Sequence, residues 1–463
     1  MQPFVEISQI FITTFALALV MPIYWIVLFL VYLQYRRIVT TEEKLYGRAI
    51  NKVGKQMLLS IALGAVGGFA ASTILIFLGL SLEQIGLYFI WPVALLLLLI
   101  NPRYLCFSYA GGIVAVLNLI FRHFLVPVFP ALAENSVVIS LLGIHIPALL
   151  VLIGLLHLVE AILIYVGGHW GSSPIYLKKE SGEVVGAFTL QRFWPVPLVA
   201  LLVAVVVQAD MVGVSMPEWW PILQSTLQPG EGQSLQYMVV PVAAGLGYAD
   251  MALSSKPRER GAFSAKLLLL YSIVLLVVAV GAEYFPWLIV PGILIAPIGH
   301  ELLIIYGKKR EDSRPPLYKQ EQSGVALMMV LPDSAASAAG LQADDLILRV
   351  NGENVHDNRE LMQAIEQSYF MVLIEGTRAG DAFSLILKKR VRDEHEAGAS
   401  FQARLRSHTV SSSLHRSAEL GLIPVPATDS AVYLELSKPD PLGRFRRLKE
   451  KLLKLGRRQK NGV

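Results

Sequence analysis

His300 and Glu301, in the stretch "APIGHELLIIYG", are the residues of this sequence whose types and spacing best suit catalysis. In zinc proteases with an H-E-x-x-H motif, two His one helical turn apart bind the metal, and the Glu activates a bound water molecule. Ile304 occupies the position of the second His. Because one ligand of that motif is missing, the sequence predicts a structural role for His300 and Glu301 near the end of a membrane span.

His157 and Glu160 form a second ionisable pair, three residues apart within an apolar run. Such side chains cost about 2.5 to 3.5 kcal/mol at the bilayer centre, so they are candidates for function. The pair could ligate a metal or relay protons, although a buried hydrogen-bonded pair is the favoured interpretation. An intramembrane protease of the site-2 type also needs a carboxylate near an Asn-Pro pair, and "NPRYL" at 101–105 has none. We therefore predict no catalytic residue, metal or cofactor.

The composition identifies a membrane protein with a soluble C-terminal part. Of 463 residues, 54% are hydrophobic and 16% are charged, and mean hydropathy is +0.55. The single Cys, Cys106, excludes an intrachain disulfide and clusters of several thiolates. Apolar runs fill residues 8–306, which predicts an α-helical polytopic bundle of about eight to nine spans in a domain 1–306. The nine candidate spans are 8–33, 57–80, 85–100, 104–121, 137–166, 194–214, 237–253, 267–284 and 286–306.

The distribution of Lys and Arg predicts the orientation of these spans. Residues 34–56 contain six basic residues, whereas residues 1–7 contain none. Basic loops stay in the cytoplasm, so the first loop is predicted to be cytoplasmic and the N-terminus extracytoplasmic. Counting nine spans, residues from 307 onward are also cytoplasmic, beginning with a linker at 307–323.

Residues 324–388 have the pattern of a small α+β domain. Residues 325–331 read as a strand, followed by an Ala-rich helix that Gly340 closes, a strand at 346–350 and an Asn-Gly turn. Asp357 or Asn358 caps a helix whose Leu361 and Ile365 face the core. Two more strands are predicted near 369–375 and 382–388.

The run "AGLQADDLILRVNG", within 324–365, resembles bacterial PDZ domains, although Ala343 replaces the usual Gly. The resemblance implies that backbone N–H groups of an apolar-Gly-apolar loop bind a peptide carboxylate, and that the peptide adds a strand to the sheet edge. Such a loop occurs late, in "ELGLIPVP" at 419–426, so we predict a circularly permuted PDZ domain at 324–436 with a polar insertion at 392–413. The alternative is a final strand without a ligand role. The predicted peptide-binding residues are Leu420, Gly421, Leu422, Ile423 and Met362.

A basic segment, residues 437–463, follows this domain. Its apolar residues recur at steps of three and four, which predicts a cationic amphipathic helix that binds anionic lipids at the membrane surface. A solvated tail and nucleic-acid binding are the alternatives, and we predict no nucleic-acid partner. The predicted lipid-binding residues are Arg444, Arg446, Arg447, Lys449, Lys451, Lys454, Arg457 and Arg458.

The combination of many spans, no catalytic constellation and a permuted PDZ domain with the "LGLI" loop resembles the MinJ-type topological determinants of cell division. This resemblance implies a membrane adaptor, not an enzyme, that bridges DivIVA-like and MinD-like proteins at the septum and poles. The alternative is a regulated intramembrane protease or a transporter with a regulatory PDZ domain.

Overall fold

The computed structural model describes residues 2–207, 214, 216–217, 219–223, 225, 227–320, 324–389, 411–428, 430 and 433–435. The helices are α1 Gln2–Val20, α2 Pro22–Tyr46, α3 Val53–Leu78, α4 Leu87–Ile100, α5 Phe107–Ile120, α6 Val126–Val128, α7 Ser136–Leu142, α8 Ile146–Gly167, α9 Pro257–Tyr284, α10 Ile289–Leu294, α11 His300–Asp312, α12 Ala335–Ala338, α13 Asn358–Gln367 and α14 Ser411–Leu420. The strands are β1 Ser173–Lys178, β2 Val184–Val207, β3 Gln233–Ala252, β4 Val325–Val330, β5 Leu346–Val350, β6 Glu353–Asn354, β7 Met371–Arg378, β8 Asp381–Lys388, β9 Leu422–Pro424 and β10 Leu434–Glu435.

Six helical segments among the described residues are long and apolar enough to cross a membrane. Helix α4 and residues 5–20 are apolar but shorter. The protein is therefore a membrane protein with several long apolar helices, and the described residues do not confirm the predicted count of eight to nine helical spans. The six segments are Pro22–Tyr46, Val53–Leu78, Phe107–Val128, Ile146–Gly167, Pro257–Tyr284 and Pro286–Asp312.

The largest correction concerns the spans predicted at 194–214 and 237–253. Their described residues lie mainly in strands β2 and β3, which pair antiparallel over twenty residue pairs, from Phe188 opposite Ala252 to Val207 opposite Gln233. An uninterrupted apolar run carries no periodicity that separates a helix from a fully buried strand. The Val-rich end of β2 and its two Pro residues favour the extended conformation.

Two further predicted spans are divided in the structure. The span at 8–33 is divided at Met21, between α1 and α2, where Pro22 begins the second helix. The span at 137–166 is divided between α7 and α8, with Pro147 in the first turn of α8. Proline at the start of a helix loses no intrahelical hydrogen bond, so both breaks fall where the chain tolerates Pro well.

The free edge of β2 lies against α3 and its surroundings instead of another strand. Pro195 and Pro197 have no N–H group to leave unpaired. Leu201 accepts a hydrogen bond at 2.8 Å from the N–H of Leu82. Side chains accept the remaining N–H groups that we identify on this edge: the Tyr35 hydroxyl for Phe193 at 3.2 Å, the Ser72 hydroxyl for Val199 at 2.8 Å and the Glu83 carboxylate for Val203 at 3.0 Å.

Two glycines allow this close approach of helix and strand. A Cβ at Gly64 would collide with the carbonyl oxygen of Pro195, and one at Gly68 would collide with that of Pro197. Small residues four apart commonly allow helices to pack closely in membranes. Here the same spacing places α3 directly against a strand.

The C-terminal domain is a β-sheet domain consistent with the PDZ fold. Its sheet has the order β8-β7-β5-β4-β9, with β6 paired to β5. Strand β5 has the predicted bounds, and the Asp357 side chain caps α13 by accepting a hydrogen bond from the N–H of Glu360 at 2.8 Å. Leu361 and Ile365 are buried in the domain core. Strand β9, the last of this sheet along the chain, pairs antiparallel with β4, the first.

The domain packs directly on the membrane region. Strands β4 and β9 contribute Leu327 and Leu422 to the domain core, and Met328 and Ile423 to the large core shared with the membrane helices. The N–H of Gly186 in β2 donates to the Tyr318 carbonyl at 2.8 Å. Both faces of this part of the sheet are therefore covered, which holds the domain against the membrane region.

Candidate peptide-binding site

The candidate groove of the PDZ-like domain lies between strand β9 and helix α13. Gly421 makes the turn from α14 into β9 with φ of +91°, a conformation that favours glycine. Its N–H donates to the Ala418 carbonyl at 3.0 Å, and its own carbonyl accepts from the N–H of Leu331 at 2.8 Å. A Cβ at this position would collide with the Ser334 side chain. Glycine is therefore required here by the turn itself.

Four of the five predicted peptide-binding residues lie at or directly beside this turn and Met362 lies on α13, but none of the five is exposed to solvent. Met362 is 2% exposed, Leu422 and Ile423 are 0% exposed, and Gly421 is buried, whereas Leu420 is half-buried. Leu422 and Met362 belong to the domain core, and Ile423 belongs to the core shared with the membrane helices. In this conformation their side chains serve packing.

Helix α14 covers the groove because it packs against both α13 and β9. Its buried residues Leu414 and Ala418 belong to the large core shared with the membrane helices, so α14 lies between the groove and the membrane region. Arg416 forms an ion pair across to Glu366 of α13, with Nη1 and Oε2 2.6 Å apart. The sequence analysis did not identify this helix, whose N-terminal residues overlap the end of the polar insertion predicted at 392–413. A peptide can add to β9 only if α14 moves.

Two loops and the first residue of strand β2 are among the parts of the membrane region that contact the domain. The Arg48 guanidinium donates to the Ala418 carbonyl at 3.3 Å, and the side-chain nitrogen of Lys256 lies 2.6 Å from the Asp344 carboxylate. The hydrogen bond to Asp344 raises the pKa of Lys256. Burial, together with the nearby Asp344 charge, raises the pKa of the Tyr318 hydroxyl. The third contact is from the Val184 N–H to the Thr428 carbonyl at 3.0 Å.

Several predictions fall wholly or partly outside the described residues. The basic segment 437–463, with all eight predicted lipid-binding residues, lies outside them, as does most of the insertion at 392–413. Within the described part, helix α11 continues to Asp312 and so includes the start of the linker predicted at 307–323. The lipid-binding residues stay a prediction.

The ionisable residues of the membrane region are arranged differently from the sequence-based interpretation. His157 and His300 lie together, and the third member of their group is Cys106. His157 contacts the Ile153 carbonyl at 2.7 Å and Cys106 at 3.1 Å. The sequence analysis missed Cys106 as a functional candidate. Its position directly after the "NPRYL" stretch was the available signal, because that stretch was considered only for a carboxylate ligand, which it lacks.

Both carboxylate oxygens of Glu301 have partners among the described residues. It is ion-paired with Arg103, and its other oxygen accepts a hydrogen bond from the Tyr109 hydroxyl at 2.6 Å. A general base must be free to take a proton from the attacking water. These two partners hold the Glu301 carboxylate in a structural role.

Comparison with known proteins gives two matches. Residues 329–369 match the family described as PDZ domain. The cell division topological determinant MinJ of Bacillus subtilis (strain 168) is 22% identical over 231 residues, covering 50% of this chain and 54% of that protein. The matched region thus spans about half the length of the curated relative. The chain is similar to MinJ over half of its own length, and its C-terminal domain is similar to PDZ domains.

Proposed function

We propose that this protein is a membrane-anchored adaptor in the selection of the cell-division site. The observation that carries the proposal is a PDZ-like domain packed on a membrane region, in a chain similar to a division topological determinant. In this role the protein bridges a DivIVA-like and a MinD-like protein. Its work is binding, without catalysis.

The PDZ-like domain supplies one binding surface. Peptides add to an exposed strand edge of such domains and place side chains beside the neighbouring helix. Here β9 and α13 are those two elements, and α14 covers them. We propose that a C-terminal or internal peptide of a division partner displaces α14, so that binding is coupled to release of this helix.

The domain is proposed to lie in the cytoplasm. Arg48 and Lys256, from loops whose basic residues predict a cytoplasmic position, both contact the domain. The structure therefore supports a common side for these loops and the domain. A reporter active only in the cytoplasm, fused after Arg314, is expected to work, and the same reporter before Met1 is expected to be inactive. The reverse pattern would contradict this orientation.

The basic segment is proposed to bind anionic lipids beside the domain. Each basic residue near an anionic leaflet contributes about 1 kcal/mol of attraction. A peptide of residues 437–463 is expected to sediment with vesicles containing phosphatidylglycerol and not with neutral vesicles. Equal sedimentation with both kinds of vesicle would show that the apolar residues bind the membrane and that the basic residues do not contribute.

A fluorescent fusion of the full chain tests the adaptor role. We expect fluorescence concentrated at division septa and poles, with misplaced septa in cells that lack the protein. Uniform membrane fluorescence together with normal septum placement would contradict the proposal. A protease or a transporter, the rival classes, has no requirement for septal localisation.

A further inference from the structure

Cys106, His157 and His300 form a compact group in the membrane region. One ligand atom from each lies within 4.8 Å of the others, and Cys106 Sγ is 3.1 Å from His157 Nε2. Cys106 directly precedes α5, His157 lies within α8, and His300 begins α11. We propose that these side chains bind a divalent metal ion of the Zn²⁺ class and thereby join three segments of the membrane region.

Both imidazole rings are oriented as metal ligands usually are. His157 Nδ1 lies 2.7 Å from the Ile153 carbonyl and so carries the proton, which leaves a lone pair on Nε2 toward Cys106. His300 Nδ1 lies 3.3 Å from the Tyr109 hydroxyl, which itself donates to Glu301. Hydrogen bonds from the second ring nitrogen to such partners fix the tautomer and orientation of ligating His.

The helix start beside Cys106 offsets part of the cost of forming, in a buried place, the thiolate that a metal requires. Its Sγ caps the first turn of α5 and accepts from the Ser108 N–H at 3.4 Å. The N-terminus of a helix carries partial positive charge, which stabilises a negative sulfur. The thiolate and two neutral imidazoles together give the site one negative charge to offset a divalent cation.

The distances allow a tetrahedral ion once the side chains adjust around it. Zn–S and Zn–N bonds of about 2.3 and 2.0 Å separate tetrahedral ligand atoms by about 3.5 Å. The observed 3.1 Å between Cys106 Sγ and His157 Nε2 is shorter than this, and the other pairs of ligand atoms lie no more than 4.8 Å apart, so the side chains must adjust when an ion binds. Three protein ligands leave the fourth position for a water molecule.

The surroundings point to a structural role for the ion. The Glu301 carboxylate is held by Arg103 and Tyr109, so the residue that would activate water in a zinc protease is engaged. The competing explanation is a metal-free hydrogen bond between the Cys106 thiol and His157. The two explanations differ in metal content, which is measurable without any assay of function.

The test uses the full-length protein, purified in detergent through a tag that contains no His and without chelator. Mass spectrometry of metals is expected to find about one Zn²⁺ per chain. Cys106→Ser, which changes one atom, should lose the metal, whereas His123→Ala, at an exposed His outside the group, should keep it. Tyr109→Phe should weaken Zn²⁺ binding about 10- to 100-fold, because it removes the partner of His300.

Two measurements on the unmodified chain keep the test decisive if Cys106→Ser fails to insert. Cys106 should react with a membrane-permeant maleimide slowly when Zn²⁺ is bound and faster after treatment with a chelator. Replacement by Co²⁺ should give the near-ultraviolet charge-transfer band of a cobalt thiolate. Wild-type protein that contains no metal and binds neither Zn²⁺ nor Co²⁺ would overturn the proposal, as would retention of one Zn²⁺ by inserted Cys106→Ser.

Discussion

The two β-sheets of this protein differ in how their edges and faces are covered. In the membrane region, β2 has apolar residues on both faces, and one edge is covered by prolines, polar side chains and helix α3. In the PDZ-like domain, β7 alternates between buried and more exposed residues, and β8 is mostly exposed or half-buried, as expected for a sheet with one face in water. The sheet of the membrane region is therefore stabilised by side chains outside the sheet. The sheet of the PDZ-like domain is stabilised by the pattern of residues within its own strands.

This difference between the two sheets follows from their surroundings, which are water for the PDZ-like sheet and hydrocarbon for the membrane region. Water can satisfy an exposed N–H group of the PDZ-like sheet, so its edge needs no particular partner. Hydrocarbon offers no hydrogen bond, and an unpaired backbone group there costs several kcal/mol. Tyr35, Ser72 and Glu83, from other parts of the chain, therefore stabilise this edge of β2 by supplying acceptors.

The strongest test of this comparison is Gly68→Leu. A side chain at Gly68 must displace the Pro197 carbonyl, and this separates α3 from β2 and breaks the Ser72 contact. We expect a loss of stability of about 3 kcal/mol or more, since both overpacking and unpaired polar groups result. Folded protein in detergent, measured by gel filtration, should fall sharply.

Val66→Leu is the matched control for that substitution. Val66 lies on the same helix but is 69% exposed, so the added volume meets no strand. Yield and elution should equal those of the wild type. If Gly68→Leu behaved like this control, the close packing of α3 on β2 would be wrong, and a helical hairpin at 194–214 and 237–253 would again be the better interpretation.

The second test asks whether Met362 belongs to the core or to an open groove. Met362 is 2% exposed within the domain core, and burial of this kind makes truncation to Ala cost about 2 to 4 kcal/mol. Thermal unfolding of the full chain should therefore show a clearly lower midpoint for Met362→Ala. Met371→Ala, at a Met that is 62% exposed on β7, should leave the midpoint unchanged. Equal effects would show that Met362 lines an open surface.

The PDZ-like domain was largely predictable from sequence because its local signals agree with one another. Asp357 predicted the start of α13, and the spacing of Leu361 and Ile365 predicted its buried face. The Asn351-Gly352 pair predicted the turn after β5. Each of these features depends on residues a few positions apart, so the sequence alone shows them.

The hairpin and the polar group around His157 were not predictable in the same way. Gly64 and Gly68 indicate close packing without showing that the partner is a strand. His157, His300 and Cys106 are separated by 51 residues or more along the chain, and nothing local shows that they meet. Helix α14 likewise covers its groove through long-range contacts that only the folded chain makes.

A third, smaller effect is expected at the contact between α14 and α13. Arg416→Glu places two negative charges together at an ion pair whose side chains are both 42% exposed. Exposed pairs contribute at most about 1 kcal/mol, so amide hydrogen exchange in residues 411–420 should accelerate by no more than about fivefold. The double variant Glu366→Arg with Arg416→Glu restores opposite charges and should return the exchange rate toward wild type. Faster exchange in both variants would show that this ion pair does not hold α14.

The smallest effect is expected at the ion pair between Lys256 of the membrane region and Asp344 of the PDZ-like domain. Both side chains are about half exposed, at 53% and 47%, so water and salt weaken their attraction to less than about 1 kcal/mol. Lys256→Met should therefore lower the unfolding midpoint slightly at low salt and not at all in about 1 M NaCl, where charges a few ångströms apart are already screened.

The hydrogen bond to Asp344 raises the pKa of Lys256 above that of the unfolded chain, so the stabilisation is fully present at neutral pH and is lost only as the pH rises through this raised value. The difference between wild type and Lys256→Met should consequently stay constant from about pH 6 to pH 9. A difference that disappeared within that range would show that another group, and not Lys256, controls the contact between the two regions.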